Sequence, residues 1–527
     1  MIRDKSNYLK IVLAVFFAVC VILPLIQMFA NIDGTSYHAV VDHPMFGTAV
    51  KNSLVASSLA TLVSVCLALL LSYCMARSNM RLKNMFKVIL TLPMLIPSIS
   101  HGWGLTLLLG NSGILTKWLG LTEGIHGLTG IVIGSVMYSF PIAFLMLSDV
   151  MNYEDASPYE AADVLGIGKV RQFGSITLPY LSKPLISVVF SVFTMIITDY
   201  GVPMMIGGNY KTLPIMMYDE IIGQGEFGKG SIYGILLLMP AVAAFVIDLL
   251  KKEQSRSNFV NKAIKPRKNF PRDAASYLLC IAMSLAVFFP IAAFVLLTVV
   301  TRYPTDMTFT LSHIEKTFTM GGDTYLINSL IVSVAVAVIG TAVAYLCAYC
   351  TARTHGPLSR ALHLMSITSM AIPGLVLGLS YVLFFKGSFI YGTLAILILV
   401  NSMHFFASPY LMIYNSFNII NKNLEDVGAT LNISRPRILL GVLVPQTKDT
   451  LVEMLSYFFV NSMMTISAVS FLANSNTRQL SLMIRQFEGG RLMECAAFVS
   501  LMILFVNLLV KTIVYITKKI LKKKKAR

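Results

Sequence analysis

One acidic residue, Asp199, lies inside a long apolar stretch of this sequence. A carboxylate in such a stretch costs about 2.5 to 3.5 kcal/mol on membrane-insertion scales, so by default it indicates a function. Gly201 and Pro203 can interrupt a helix there and free backbone groups towards a cavity. Contact with a small polar solute is one interpretation, and a hydrogen bond that only fixes packing is the other. The candidate path residues are Asp199, Tyr200, Gly201 and Pro203, with Thr465 and Ser467 in the corresponding later segment.

Other chemistries lack their sequence patterns. The chain contains no G-x-x-x-x-G-K-[ST] loop that would bind nucleotide phosphates. Its histidines and intramembrane carboxylates are scattered singly, without the spacing of metal ligands. We therefore expect neither catalysis nor a metal, ATP or magnesium site in this chain.

The composition predicts a membrane protein. Of the 527 residues, 56% are hydrophobic and 13% are charged, too few polar groups to cover a soluble globule of this size. Stretches of about 20 apolar residues are long enough to cross a bilayer as helices. We expect an all-α polytopic fold of about twelve such spans, near residues 10–30, 52–75, 86–109, 127–149, 182–206, 231–250, 275–300, 326–351, 361–385, 392–414, 449–472 and 495–517.

The net charge of +17 does not indicate a nucleic-acid partner, because the basic residues are concentrated in particular segments outside the spans. Lysine and arginine are concentrated between the second and third spans, between the sixth and seventh spans, and in the C-terminal tail. Under the positive-inside rule these segments are cytoplasmic, so both termini are expected inside the cell. A bacterial inner membrane is the expected location.

An internal repeat divides the chain into two homologous six-helix halves. Asn52-Ser-Leu matches Asn328-Ser-Leu at an offset of 276 (328 − 52), and Pro97 matches Pro373 at the same offset. Pro179 matches Pro445 at an offset of 266 (445 − 179). The predicted division is a first half at 1–250, a basic cytoplasmic linker at 251–274 and a second half at 275–527. The two halves run in the same direction, so a path between them is expected.

The loop at 150–182, between the fourth and fifth spans, predicts a short exposed helix. Ser157 would cap it, Pro158 would be its first residue and Glu160 its third, as in a capping box. The small side chains of Ala161 and Ala162 allow another protein to approach one face of the helix closely. Gly166 can end the helix in a left-handed conformation. This loop is suited to docking another protein.

The complete spacing of this loop resembles the EAA loop of the permeases of type I ABC importers. The matching residues are Glu160, Ala161, Ala162, Gly166, Ile176, Leu178 and Pro179. A degenerate copy lies in the loop 415–448, with Asn423 at the cap position. Its members are Asp426, Val427, Gly428, Asn432, Val442 and Pro445. In that family this loop supplies the coupling helix that docks on an ATPase.

The chain resembles the fused permeases of ferric-iron, thiamine and phosphonate importers, and this resemblance covers nearly its whole length. The resemblance implies two copies of a cytoplasmic ATPase that bind ATP and magnesium, and an extracytoplasmic binding protein. The implied solute is 2-aminoethylphosphonate first, then ferric iron, then thiamine or a polyamine. An ion-coupled secondary transporter with twelve spans is the alternative, but it gives no reason for capped helices at matching loops.

Overall fold

The computed structural model describes residues 2–111, 113–118, 120, 123–251, 264, 266, 268–303, 305–421, 423–490 and 492–525. Most of the predicted linker at 251–274 lies outside these described residues.

Helices dominate the described chain. In chain order they are α1 Ile2–Phe17, α2 Leu23–Ala30, α3 Gly34–Val41, α4 Phe46–Arg77, α5 Lys83–Thr91, α6 Ser98–Leu109, α7 Ile114–Trp118, α8 Leu128–Asn152, α9 Ser157–Val164, α10 Lys169–Gln172, α11 Leu178–Ile197, α12 Gly201–Ile206, α13 Leu213–Tyr218, α14 Phe227–Lys251, α15 Phe270–Val299, α16 Ser312–Thr319, α17 Gly322–Ala352, α18 Pro357–Thr368, α19 Gly374–Phe385, α20 Leu394–His404, α21 Ala407–Ile419, α22 Leu424–Thr430, α23 Arg435–Ile438, α24 Val444–Gln446, α25 Lys448–Met464, α26 Leu480–Gly489 and α27 Met493–Lys525.

Short irregular helical turns and one hairpin complete the described secondary structure. The π-helical turns are Ala18–Ile22, Phe173–Thr177, Asp219–Gln224 and Leu439–Leu443, and the 3-10 turns are Leu92–Leu95 and Ser369–Ala371. Strands β1 Val300–Arg302 and β2 Asp306–Phe309 pair antiparallel, with Val300 opposite Phe309. The sequence analysis did not predict this hairpin.

Eight helical segments of the described chain are long and apolar enough to cross a membrane, and three bent helix pairs raise that number to as many as eleven. These segments fall on eleven of the twelve predicted stretches, which confirms the all-α membrane fold. The remaining stretch, 449–472, forms only the 17-residue helix α25, shorter than the roughly 20 residues of a complete span. Its helix stops because Thr465 is extended, at φ −63° and ψ 139°.

Proline breaks one span at the same place in each repeat. Pro97 and Pro373 precede α6 and α19, and each has an extended backbone with ψ near 150°. Ile96 and Ile372 are also extended, as expected for residues before proline. The helix pairs on either side are bent by 100° and 110°.

The described chain packs as two compact units that do not coincide with the sequence halves. The first unit comprises Val41–Met216 and Met239–Leu311, and the second comprises Met1–Val40, Met217–Leu238 and Ser312–Arg527. In the second unit, the Tyr381 hydroxyl donates to the Cys20 carbonyl at 2.7 Å, and Phe17 packs edge-on against Phe406. Each unit therefore contains a helix that the sequence places in the other half.

The long helices α4 and α17 occupy equivalent places in their units, and small side chains let neighbouring helices approach them closely. Along α4, the hydroxyls of Ser64 and Ser139 lie 2.7 Å apart. In the other unit, Gly340 of α17 lies under the ring of Phe458. With 32 and 31 residues, these helices are about 48 and 46 Å long.

Candidate functional site

The predicted docking helix of the first repeat forms as α9, but its cap differs from the prediction. Ala156 is the N-cap residue and makes no side-chain capping bond, while Ser157 is the first helical residue. The Asp155 carboxylate accepts hydrogen bonds from the Ser157 amide at 3.2 Å and the Ser157 hydroxyl at 3.0 Å. The predicted role of Ser157 as the cap is therefore wrong, because the helix begins one residue earlier than predicted and Ser157 is already its first residue.

The end of α9 agrees with the prediction for Gly166, which has a positive φ of 70°. Its amide donates to the Asp163 carbonyl at 3.1 Å, and the Ile167 amide donates to the Ala162 carbonyl at 2.9 Å. These two bonds form a Schellman motif, which satisfies carbonyls that the helix leaves unpaired. A Cβ at Gly166 would meet no atom within 4 Å, so the backbone conformation is what requires glycine here.

Helix α22 repeats this geometry in the second unit with different residues. Asn432 has a positive φ of 55°, alone among the non-glycine residues that the structure describes. The Ile433 amide donates to the Gly428 carbonyl at 2.8 Å, as in the first Schellman motif. Asn423 directly precedes the helix, and its amide donates to Asn421, at the position equivalent to Asp155. The degenerate copy therefore keeps the shape of the first.

One face of each helix is exposed. Glu160 and Ala161 on α9, and Asp426 and Val427 on α22, are all exposed. Val164 and Leu165 add apolar surface to the first loop, with 88% and 75% of each residue exposed. Apolar residues presented in this way are typical of interaction surfaces.

The opposite face of each helix is buried, and the two loops support it differently. Ala162 is buried under α9, and the Gln172 amide donates to Asp163 at 2.6 Å and to the Ile167 carbonyl at 2.7 Å. In the second loop, a Cβ at Gly428 would collide with the side chain of Ile438. Polar contacts hold the first helix, and close apolar packing holds the second.

The remaining motif residues lie where each loop joins the next long helix. Ile176 and Val442 are half-buried members of π-helical turns that occupy equivalent positions in the two repeats. Leu178 and Pro179 begin α11, and Pro445 lies in α24. Each proline lies two residues after a π-helical turn, at the equivalent position of the two repeats.

An arginine that the sequence analysis did not single out joins α9 to the end of α4. The Arg77 guanidinium lies 2.7 Å from Glu154 and 4.1 Å from the centre of the Tyr159 ring. The Tyr159 hydroxyl contacts both Glu154 and Thr177. The pKa of Glu154 is raised above its usual value, chiefly by burial. The hydrogen bond from Tyr159 and the charge of Arg77 offset only part of this rise. Burial and the bond to Glu154 raise the pKa of Tyr159 above its usual range.

The second unit has an equivalent arginine–carboxylate pair, in which the carboxylate comes from another position of the loop. Arg353, which directly follows α17, pairs with Glu425 on α22 at 2.5 and 2.7 Å. It also donates to the backbone carbonyls of Phe417, Ile420 and Asn421 at 2.7 to 3.2 Å. The available sequence signal was the repeated Ala-Arg pair at 76–77 and 352–353.

The predicted path residue Asp199 lies in a break between α11 and α12. Its two carboxylate oxygens accept from the amides of Gly201 at 3.3 Å and Val202 at 3.0 Å, and its side chain also bonds with Ser98. Asp199 precedes the N-cap residue Tyr200, and its carboxylate satisfies the first two amides of α12, which have no partner within the helix. It also borders a cavity of about 10 Å³, room for about one water. Contact with a solute stays a prediction.

The other predicted path residues are largely enclosed within their units. Tyr200, Gly201, Pro203 and Thr465 are buried. The Asp199 cavity is lined by Ser53, Ala56, Ser57, Ile131, Ile196, Ile197, Pro203, Thr212 and Pro214.

The close contacts around Gly201 and Ser467 are mirror arrangements of each other. A Cβ at Gly201 would collide with the Ser98 hydroxyl, whereas a Cβ at Gly374 would collide with the Ser467 hydroxyl. Ser98 and Gly374 are equivalent in the repeat, as are Gly201 and Ser467. Each repeat therefore places one serine and one glycine at this helix contact, in opposite order.

The Asn-Ser pair that marks the repeat is a structural clasp, which sequence reasoning did not recognise. Asn52 donates to the Lys211 carbonyl at 2.9 Å, and Ser53 accepts from the Leu213 amide at 2.7 Å. In the second unit, Asn328 donates to the carbonyls of Asn476 and Arg478 at 2.9 and 3.2 Å, and Ser329 accepts from the Leu480 amide at 2.7 Å.

Comparisons with known proteins match the chain to transport permeases. The chain is 24% identical to the putative ferric transport system permease protein FbpB 1 of Haemophilus influenzae, over 93% of this chain and 81% of that protein. It is also 24% identical to the ferric transport system permease protein FbpB of Actinobacillus pleuropneumoniae, over 94% and 75%. The molybdenum transport system permease protein ModB of Azotobacter vinelandii is 27% identical over 33% of this chain and 80% of its own length.

The family model for the binding-protein-dependent transport system inner membrane component matches twice, at residues 65–256 and 340–527. The two matches confirm the predicted repeat, and they set aside the alternative of an ion-coupled transporter. The permeases that resemble this chain are not themselves enzymes, which confirms the expectation that this chain does not catalyse a reaction. The chain belongs to the family of binding-protein-dependent transport system inner membrane components, as a fused two-domain permease of an ABC importer.

Proposed function

We propose that α9 and α22 are the two coupling helices of this permease, and that each docks on one copy of a cytoplasmic ATPase. The observation that carries the proposal is the shared geometry of the two loops. Both helices expose an acidic residue, Glu160 or Asp426. Both end at a left-handed residue, Gly166 or Asn432, and the next amide donates to the carbonyl five residues before it. Two unrelated surface loops have no reason to keep this shape while their residues change.

The stoichiometry tests this proposal. The full chain, purified with its ATPase in a mild detergent, should contain two ATPase copies for each permease, measured by native mass spectrometry. Loss of one copy from a variant with α9 disrupted, and of the other from a variant with α22 disrupted, would assign one ATPase to each helix. A wild-type complex with one ATPase copy contradicts the proposal.

For the solute, we propose ferric iron in first place and 2-aminoethylphosphonate in second. The two ferric permeases that resemble this chain do so over 93% and 94% of its length. The repeats are also unequal at the broken spans, where Asp199 corresponds to Thr465. A single carboxylate beside hydroxyl groups suits a small cation better than an anion or an apolar solute.

Uptake by cells that depend on this chain separates the two solutes. Radioactive ferric ion, presented with the binding protein, should accumulate in an ATP-dependent manner, and labelled 2-aminoethylphosphonate should not. A binding screen on the extracytoplasmic binding protein is the matched control, because that partner selects the solute before the permease does. Accumulation of the phosphonate alone would reverse the proposed order.

We further propose that both termini are cytoplasmic, on the same side as the coupling helices. The C-terminal helix α27 ends in a run of lysines, Lys522 to Lys525, which the positive-inside rule places in the cytoplasm. Reporter fusions to each terminus test this orientation, and a reporter that is active only outside the cytoplasm should stay silent at both ends.

A further inference from the structure

Two arginines connect the coupling helices to the long helices of their repeats. Arg77 is the last residue of α4, and Arg353 directly follows α17. Both are largely buried: the side chains of Arg77 and Arg353 are 13% and 1% exposed, and those of their partners Glu154 and Glu425 are 4% and 12% exposed. Removing one partner of a buried ion pair leaves an uncompensated charge, so such a contact is costly to break.

The carboxylate of each pair comes from a different position of the repeat. The position of Glu154 in the first loop is occupied by Ile420 in the second, and the position of Tyr159 is occupied by Glu425. Arg353 nevertheless reaches both positions, through the Ile420 carbonyl and the Glu425 carboxylate. The arginine is kept while its carboxylate has moved by five residues along the loop (159 − 154). Both repeats therefore keep a buried contact between this arginine and a carboxylate of the loop, although the carboxylate comes from a different position.

The far ends of the same two helices are also clasped in equivalent ways. The Asn-Ser pairs bind the backbone after the broken fifth span at Lys211 and Leu213, and after α25 at Asn476, Arg478 and Leu480. The spacing from Asn52 to Arg77 equals that from Asn328 to Arg353, about 37 Å along a helix. Each long helix thus has a fixed contact at both ends.

We infer that α4 and α17 act as rods that link each coupling helix to the segment at the opposite end of its repeat, with Arg77 and Arg353 as positioning residues. This inference rests on the proposed coupling function of α9 and α22. A displacement of the coupling helix moves the arginine, the rod and the segment held by the Asn-Ser pair as one body. Contiguous packing of this kind is a physical carrier of coupling between distant sites.

Moving the carboxylate is the sharpest test of the anchor. We expect Arg77→Gln and Glu154→Gln each to reduce ATP turnover stimulated by the ferric-loaded binding protein about tenfold or more, because each leaves a buried charge unpaired. The ATPase should still copurify, since its docking face is intact. Glu154→Gln combined with Tyr159→Glu recreates the second arrangement and should restore turnover to within about threefold, the scatter expected for a re-sited buried pair. Glu154→Gln with Tyr159→Gln is the matched control without charge.

Equal turnover in these two double variants would overturn the anchoring role. A failure of the proposed coupling function can be told apart from a failure of the anchor, because only the former also changes the wild-type chain. A wild-type chain that is stimulated by neither the ferric-loaded nor the 2-aminoethylphosphonate-loaded binding protein contradicts the coupling proposal and the rods together, whereas a stimulated wild type with fully active arginine variants contradicts the rods alone.

A distance measurement tests whether the rod moves as one body. Spin labels at the exposed positions Ser157 on α9 and Leu54 near the far end of α4 report on its length, after the native Cys66 and Cys74 have been replaced by serine. The wild-type complex should give one narrow distance distribution that is the same without nucleotide and with trapped ATP. Arg77→Gln should broaden it in both states. A wild-type distance that changes between the two states overturns the rod.

Discussion

The loops that contain α9 and α22, the two proposed coupling helices, have the same backbone and few of the same residues. Gly166 ends the first helix and Asn432 ends the second, both with positive φ. Gln172 supports the first helix by hydrogen bonds, whereas Ile438 supports the second by packing on Gly428. The comparison teaches that the shape of the loop is what the two repeats share, and that several side-chain solutions produce it.

At the broken spans, the two repeats also keep the same helix contact with different residues. Ser98 packs on Gly201 in the first unit, and Ser467 packs on Gly374 in the second. The serine and the glycine have exchanged helices, and the close approach is preserved. One difference has no such compensation: Asp199 binds the first two amides of α12, and its counterpart Thr465 is extended and carries no charge.

The largest effect is expected from filling the exchanged serine-glycine contact. Gly374→Ser should sharply lower the yield of folded protein, because overpacking a tight contact costs about 1 to 3 kcal/mol or more. Adding Ser467→Gly should recover most of it, with Ser467→Gly alone as the control. Thermal unfolding in detergent and uptake are the measurements.

The same exchange in the first unit should recover less. A Cβ at Gly201 also lies 2.8 Å from the Ile99 amide nitrogen, and Ser98→Gly does not relieve that contact. Full recovery by Ser98→Gly with Gly201→Ser would show that the Ile99 contact does not matter, and no recovery by the second-unit pair would show that serine and glycine do not compensate each other.

A smaller effect is expected at the left-handed residues. Gly166→Ala should weaken the end of α9 by about 1 to 2 kcal/mol, since a Cβ is unfavourable at positive φ. Asn432→Gly should be neutral or slightly stabilising, because glycine adopts this conformation more readily than asparagine. Hydrogen exchange of the amides in the two helices measures both effects locally. Unchanged exchange in Gly166→Ala would show that the Schellman motif does not depend on this residue.

Asp199 separates capping from transport. Asp199→Ala removes the acceptor of two α12 amides and should cost about 0.5 to 2 kcal/mol. Asp199→Asn keeps one acceptor oxygen for these two amides, so it should cost less than Asp199→Ala but more than nothing. We expect Asp199→Asn to transport ferric ion more slowly, because it lacks the charge that would attract a cation. Wild-type transport by this variant would leave Asp199 with the capping role alone.

Much of the fold could be predicted because its signals are local. Apolar stretches locate the helices, and Gly166 locates the end of α9. The breaks at Pro97 and Pro373 were not predicted, because proline alone does not specify a break: Pro141, Pro184, Pro240 and Pro290 all lie inside helices. The cap of α9 could not be predicted, because Asp155 and Ser157 lie two residues apart and both are residue types that favour the start of a helix. The partner of Arg77 lies 77 residues away, and hydropathy contains no information on such contacts. The exchange of helices between the units was hidden for the same reason.

The smallest effect is expected from the ion pair between Lys169 and Asp163 beside α9. Its atoms are 2.5 Å apart, yet the two side chains are 71% and 54% exposed, and exposed pairs of this kind contribute about 0 to 1 kcal/mol. The second loop has Ala429 at the position of Asp163, so it lacks this ion pair. We expect Lys169→Ala to leave stimulated ATP turnover and hydrogen exchange of α9 nearly unchanged. Gln172→Ala is the matched comparison, because Gln172 is buried and its amide donates two hydrogen bonds to the loop. It should speed exchange in α9 clearly. If Lys169→Ala proves the more damaging of the two, exposed charge and not buried hydrogen bonding holds the first coupling helix.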